Sequence, residues 1–507
     1  MQRGCPESQL HVTARKQCRG SEVGHLSWTL LWTALSIVNT LAVATAIVAV
    51  LRRPREPHAM LAWILALLLL PVLGLVLFLL IGQFRIERTR EKRQRNRAKL
   101  ATALRPRRDR LHDTHAPHGR VRTGRGLVNL VNLATRLSRH PPTAGNEVTL
   151  YYDSEQTFLA LQLAIESAES HVHMEYFIFQ PDETGRAVRD LLIAKCRKGV
   201  PCRLLLDYVG CFWWPREFLR SLIDGGIEVV FFMPAVPWWI GRRMNFRNHR
   251  KIVVVDGRIG FTGSQNIGDE YLGRLKKFGA WRDTHMRLIG PAVQQLQEVF
   301  VEDWHFATGT DLVGDECFPA VDPAGEQVVQ IIPTGPGGHG RAMHHLLYAA
   351  IAAAEYSVCI ATPYFVPDLP MLVAIQSAAY RGVRVQMLIP AKSNHWLVLW
   401  AGRSFYSEMC DAGVEIYEHR ETMLHSKVVV IDKSWAMVGS ANMDQRSFRL
   451  NFEVTAILFD EAPARDLYRD FAALRDGSQR TDPRRWRDAS FRESILLGTA
   501  RLASPLL

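Results

Sequence analysis

The chain has 507 residues, 48% of them hydrophobic, and a formal net charge of +12, enough for two or three domains with cores of their own. Residues 83–125 carry 15 Lys and Arg against 4 Asp and Glu, so the remainder is close to neutral; that argues against a nucleic-acid groove, which spreads positive charge over a catalytic surface. The eight cysteines are scattered without metal-ligand spacing and read as free thiols in a reducing compartment, not a disulfide framework.

Residues 1–25 form a polar, unpatterned extension. Two uncharged apolar runs follow, 26–51 and 59–82, and at ~1.5 Å per residue each is long enough to cross a ~30 Å hydrocarbon layer as a helix. The link between them, "RRPREPH", is short, so 26–82 is expected to be a transmembrane helical hairpin. Basic residues crowd positions 82–99, which places the large C-terminal portion on the cytoplasmic side of the membrane. A basic linker is expected over 83–145, beside anionic headgroups.

From about residue 146 strand-like and helix-like runs alternate. "HVHMEYFIF" reads as a strand, "GRAVRDLLIAKCRKG" as a helix and "VPCRLLLDYVG" as a strand. "YSVCIATPYFV", "LPMLVAIQSAAYRG" and "VRVQMLIP" repeat that order in the second half. The expected fold is therefore α/β: two halves, 146–325 and 326–507, each with a mixed, largely parallel sheet and flanking helices, facing each other across one site.

The second repeat is chemical. "NHRKIVVVD" supplies His249, Lys251 and Asp256, and "LHSKVVVID" supplies His425, Lys427 and Asp432 in the same register. "GSQN" then brings Ser264 and Asn266, and "GSAN" brings Ser440 and Asn442. Alternation along a strand points each His and its Lys the same way. Two imidazoles, two ammoniums and two amides around one small volume form a site for a phosphodiester. One imidazole can attack phosphorus while the other protonates the leaving alkoxide. The lysines already balance the phosphate charge, so no metal or cofactor is called for. Asp283 and Glu453, downstream of the motifs, are candidates to orient the imidazoles. Asp256 and Asp432 sit at strand-to-turn junctions, where a turn role competes with a catalytic one.

The doubled His-x-Lys-x4-Asp resembles the signature of the phospholipase D superfamily. The apolar anchor, "WRDTHMRLIGPAV", "TPYFVPD" and "SANMDQRSFRLNFEV" resemble bacterial cardiolipin synthases. The resemblance implies a membrane-bound phosphatidyltransferase that joins two phosphatidylglycerols into cardiolipin and releases glycerol through a phosphohistidine. It implies His249 as nucleophile and His425 as acid and base, with Lys251, Lys427, Asn266 and Asn442 on the phosphate and Ser264 and Ser440 beside it. The motif symmetry leaves the order of the histidines open. Also open are a hydrolase using water and a transferase using another acceptor such as phosphatidylethanolamine. Nucleic acid is not an expected partner, and the oligomeric state is not legible.

Weaker signals remain. "CFWWPREF" (211–218), "VPWWIGRRMNF" (236–246) and "NHWLVLWAGR" (394–403) join Trp to Arg or to apolar residues, as either membrane-interface or core segments. His171, His173 and Glu175 share a strand face and read as core or supporting residues before metal ligands. "GPGGHG" (335–340) reads as a turn.

Overall fold

A computed structural model describes residues 10–52, 57–79, 102, 125–233, 246–275, 279–336 and 342–507. The chain divides into two compact units, Met1–Arg85 and Ile86–Leu507. The first contains helices α1 (Leu10–Leu51), α2 (Pro57–Leu69) and α3 (Pro71–Leu77). Residues 10–25, expected to be unpatterned, are the first turns of α1. Within α1 the 22 residues Leu30–Leu51 are long and apolar enough to cross a membrane, and among the described residues this is the one helix that is.

The second apolar run is interrupted. Pro71 has no N–H to donate and pushes Leu70 out of the helical region, to φ −129° and ψ 68°. The chain then folds so tightly that a Cβ on Gly74 would lie 2.3 Å from the Ala66 carbonyl oxygen. Val43, Ala46 and Val50 of α1 share a buried cluster with Leu67 and Phe78, and Trp63 meets Phe78 edge-on at 5.5 Å.

In the second unit, most of the expected basic linker (83–101 and 103–124) lies outside the described residues. Its last part belongs to the fold instead. Helix α4 (Arg125–Ser138) buries Leu130, Val131 and Ala134 against Leu346, Leu347 and Ala350 of helix Ala342–Ala353. The first strand likewise begins at Thr143, before the expected boundary.

Among the described residues nineteen strands follow in chain order. The first eight are β1 (Thr143–Tyr151), β2 (Val172–Tyr176), β3 (Cys202–Asp207), β4 (Glu228–Phe232), β5 (Ile252–Val255), β6 (Ile259–Gly263), β7 (Trp281–Arg282) and β8 (His285–Ile289). The second set is β9 (Gln327–Thr334), β10 (Ser357–Ala361), β11 (Phe365–Val366), β12 (Arg384–Pro390), β13 (Glu415–His419), β14 (Met423–Leu424), β15 (Val428–Ile431), β16 (Trp435–Gly439), β17 (Met443–Asp444), β18 (Glu453–Leu458) and β19 (Gln479–Arg480).

Fifteen of them form one continuous sheet, ordered β19-β13-β12-β10-β15-β16-β18-β9-β1-β8-β6-β5-β2-β3-β4. Read outward from the central β9–β1 pair, each half repeats the other. Of the expected mixed, largely parallel sheets, the mixed character holds, in one continuous sheet, and the parallel majority does not. Only β2–β3–β4 and β10–β12–β13 pair in parallel; every other adjacent pair is antiparallel.

The hairpin turns explain the difference. Crossover helices Glu183–Arg197 and Arg216–Asp224 link the parallel strands of the first half. The His-Lys strands β5 and β15 instead run into tight three-residue turns, 256–258 and 432–434. Asp256 and Gly257 have φ 53° and 63°, and Asp432 and Lys433 have φ 50° and 53°. That left-handed pair matches the twist of an antiparallel hairpin. Ile252, Val254, Val428 and Val430 then bury in one core with Leu296 and Leu467, of helices Ala292–Thr308 and Glu461–Asp476. Burying each such side chain is worth about 1.5–3 kcal/mol, and here the gain is shared by both halves.

Candidate active site

Two short parallel ladders cross between the halves just before the critical residues. Asn248 bridges Phe452, and His249 N–H donates to the Phe452 carbonyl at 2.9 Å. β14 pairs with β7, with Leu424 opposite Arg282, and His425 N–H donates to the Arg282 carbonyl at 2.8 Å. The next residue along each strand is then a histidine on one side and a carboxylate on the other.

The pairing is therefore crossed. His249 Nδ1 lies 2.9 Å from Glu453 Oε2, and His425 Nδ1 lies 2.7 Å from Asp283 Oδ1. Each carboxylate serves the histidine of the opposite half. A neutral imidazole donating Nδ1–H to its carboxylate keeps the Nε2 lone pair free.

Each lysine reaches back along its strand. Lys251 Nζ donates to the His249 carbonyl and Lys427 Nζ to the His425 carbonyl, both at 2.7 Å. His249 is influenced by Lys427 and His425 by Lys251, so the two motifs surround one volume.

Electrostatics set the resting charges. Burial, reinforced by the lysines and opposed by the carboxylates, pushes both imidazoles down to about 4. Burial would raise Asp283, but His425, Lys427 and Ser264 overcome it and hold the carboxyl at about 2. Glu453 is lowered in the same way by His249, Lys251 and Ser440 against the burial penalty. Burial lowers Lys427 to about 8 and Lys251 well below its ordinary value. At neutral pH the site thus holds two neutral imidazoles and two carboxylates.

Of the other expected residues, Asn266 donates to the Tyr271 hydroxyl at 2.7 Å and accepts from Ile178 N–H at 3.3 Å. Asn442 keeps its Oδ1 buried without a hydrogen-bond partner and lines a small cavity with Lys427.

Four of the expected residues are engaged within the protein itself. Ser264 and Ser440 are fully buried, with Ser264 donating to the Thr284 carbonyl at 3.0 Å and Ser440 to Glu453 Oε2 at 2.6 Å. Their hydroxyls brace the carboxylate segments and are not available to a substrate. Asp256 and Asp432, expected with the catalytic residues, lie at the far ends of β5 and β15. Asp256 accepts from the backbone N–H of Glu169, Ser170 and His171, and Asp432 from Glu355, Tyr356 and Ser357. These contacts tie down the start of β2 and β10, about 20 Å along an extended chain from the imidazoles.

Sequence reasoning missed the aromatic walls. Phe177 meets the His249 ring edge-on at 5.1 Å, and Trp281 meets the His425 ring at 5.1 Å, backed by Tyr271 at 4.7 Å. It also missed a buried polar clamp peculiar to the first half. Asn248 donates to Glu175, while Arg250 reaches Asp303, the Thr334 carbonyl and the Glu453 carbonyl. The corresponding second-half positions hold Leu424, Ser426 and Ala361. Asn248 and Arg250 alternate with His249 and Lys251, which was the available signal.

His171, His173 and Cys317 gather possible ligand atoms within 4.8 Å. Both ring nitrogens of His173 are already engaged, by Gln297 and Arg203, which favours the core reading. Residues 234–245 and 337–340, covering most of the second Trp-Arg stretch and of the glycine-rich turn, lie outside the described residues.

A family model described as "Cardiolipin synthase, PLD-like domain" matches residues 161–304 and 347–475, and one described as "Phospholipase_D-nuclease N-terminal" matches 40–83. The chain is 39% identical over 455 residues to cardiolipin synthase 2 of Bacillus anthracis, covering 89% of this chain and 88% of the relative. It is 37% identical to a cardiolipin synthase of Geobacillus kaustophilus, covering 89% and 90%. Among solved structures, phosphatidylserine synthase of Haemophilus influenzae superposes with a TM-score of 0.57 at 14% identity, over 74% of this chain and 99% of that one, a likeness of fold.

Proposed function

Because the chain belongs to the cardiolipin synthase family with phospholipase D-like domains, we propose that it transfers a phosphatidyl group between two phosphatidylglycerols, giving cardiolipin and glycerol. It is a phosphatidyltransferase acting on phospholipid, and the apolar helix Leu30–Leu51, with the N-terminal family match at 40–83, supports a place in the membrane.

The observation that carries the reaction is the pair of crossed histidine–carboxylate contacts flanked by Lys251 and Lys427. His249 Nε2 attacks phosphorus and the bond to the departing glycerol oxygen breaks. His425 supplies that oxygen with a proton. It acquires the proton because the bound phosphodiester adds negative charge beside a ring already facing Asp283. The phosphatidyl group then rests on His249. His425, now neutral, takes the proton from the hydroxyl of a second phosphatidylglycerol, whose oxygen displaces His249. Lys251, Lys427, Asn266 and Asn442 offset the charge on the phosphoryl oxygens in both steps. Phe177 and Trp281 exclude water around the imidazoles.

In the membrane, residues 26–82 form a two-pass hairpin, with α2 and α3 as an interrupted second span. The basic residues of 82–99 keep the catalytic unit on the cytoplasmic side. Its two phospholipase D-like halves meet at residues 325–326.

The test is to supply purified protein with labelled phosphatidylglycerol and resolve the products. Cardiolipin with an equal amount of glycerol, abolished in His425→Ala, supports the proposal. Phosphatidic acid as the sole lipid product would make water the acceptor and refute the transferase step. Phosphatidylethanolamine added as competitor distinguishes the remaining acceptor.

A further inference from the structure

The two loops that follow β3 and β12 occupy equivalent places in the two halves, and both expose aromatic side chains. In residues 208–214, Trp213 is 89% exposed, Phe212 53% and Val209 37%; in residues 391–396, Trp396 is 64% exposed. Neither loop is a loose tip. Trp214 Nε1 donates to the Phe179 carbonyl at 2.5 Å, and Asp207 accepts from the N–H groups of Val209 and Gly210. A Cβ on Gly210 would sit 1.9 Å from the Phe177 carbonyl oxygen, so only glycine lets the loop press so closely on the segment whose ring touches His249. In the other half, the Tyr364 hydroxyl donates to Asn394 at 2.7 Å and its ring meets His395 at 5.8 Å. Tyr364 follows Thr362, whose hydroxyl accepts from Met443 N–H, next to Asn442.

Each loop is thus pinned to the segment bordering its own half of the site. Exposed tryptophans on loops held in this way lose apolar burial that a core position would supply. Arg216, Arg220 and Lys392 stand exposed beside them. Indole with arginine or lysine is the side-chain pairing that favours the boundary between acyl chains and anionic headgroups.

We propose that Trp213 and Trp396, with Phe212, insert into an anionic lipid bilayer and seat the mouth of the catalytic site on its surface. The inference rests on the proposed phospholipid substrate. A phosphodiester lying at headgroup depth then reaches the two imidazoles without its acyl chains leaving the membrane. The internal repeat supplies one anchor on each side, so the mouth is held level.

The full-length protein in phosphatidylglycerol nanodiscs tests this in two ways. An environment-sensitive label on Trp213→Cys, and separately on Trp396→Cys, is quenched by lipids carrying a nitroxide at headgroup depth. Unquenched labels overturn the docking whatever the activity. Second, the double variant Trp213→Ala, Trp396→Ala is assayed on bilayer phosphatidylglycerol and on a short-chain, monomerically dispersed form. The expected loss is at least about tenfold on the bilayer and under about twofold on the dispersed lipid, since two interfacial anchors act only at a surface. Equal losses on both, or none on either, refute docking. Wild-type protein that makes no cardiolipin from either lipid while its labels are quenched would instead overturn the proposed reaction and leave the docking standing.

Discussion

Replacing Asp283 by asparagine is expected to disable the histidine of the opposite half. Asp283 lies 34 residues beyond His249 in sequence, yet its carboxylate meets His425 at 2.7 Å. When His425 is an imidazolium, two opposite charges with centres about 4 Å apart at an effective dielectric near 20 attract by roughly 4 kcal/mol. Losing that from the proton-transfer step costs about 10³-fold in rate. With phosphatidylglycerol, Asp283→Asn should make cardiolipin about a thousandfold more slowly, close to His425→Ala. A leaving group that needs no proton separates the roles. On phosphatidyl-p-nitrophenol, the first-turnover burst of p-nitrophenolate should recover to within about tenfold of wild type in Asp283→Asn. Glu453→Gln, which disturbs the attacking His249, should stay defective on both substrates. A burst equally lost in Asp283→Asn and Glu453→Gln, or a loss under tenfold with phosphatidylglycerol, would refute the crossed assignment.

Lys427, lowered to about 8 by burial, is charged at pH 7 and largely neutral at pH 9. KM for phosphatidylglycerol should therefore rise over that interval, and Lys427→Arg should flatten the profile; an unchanged KM counts against a phosphate-binding role. His171, His249, His285 and His425 are each held by burial at about 4, below the 6.5 of an unfolded imidazole. The unfolded chain takes up these protons first, so stability present at pH 7 is lost as pH falls from 6.5 towards 4, by roughly 3 kcal/mol per imidazole. Thermal unfolding should show Tm falling steadily over that window, and a flat Tm would contradict the resting charges. Asp256→Ala and Asp432→Ala remove acceptors from three backbone N–H groups each and should cost about 1–3 kcal/mol in stability. Turnover per folded molecule should stay near wild type; a specific loss of kcat would restore these residues to the chemistry.

The grouping of the candidate residues was legible because each half encodes its own His and Lys locally. His and Lys two apart on a strand necessarily share a face, and the repeat at a fixed offset announced two copies. The crossed pairing was not legible, because it depends on the Asn248–Phe452 bridge and the β14–β7 ladder, contacts between segments more than 140 residues apart. Strand direction failed for a local reason that could have been read. "VVVDGRIGF" carries an Asp-Gly between apolar runs, a hairpin signal, but the helices elsewhere dominated the expectation. The second apolar run looked uniform by composition, and Pro71 with Gly74 divided it through backbone geometry that hydropathy does not register.

The crossed contacts also bear on how such a chain can change over generations. After a duplication, one copy is usually released to acquire another trade while its sibling keeps the old one. Here neither copy holds a complete histidine–carboxylate pair, because the anion that meets each ring is inherited with the other copy. A lesion at Asp283 is felt 142 positions away at His425. Selection therefore sees the two motifs as a single heritable trait. The surrounding positions have been free to diverge, Glu175 against Ala361 and Arg250 against Ser426, while the His-Lys cores remain alike.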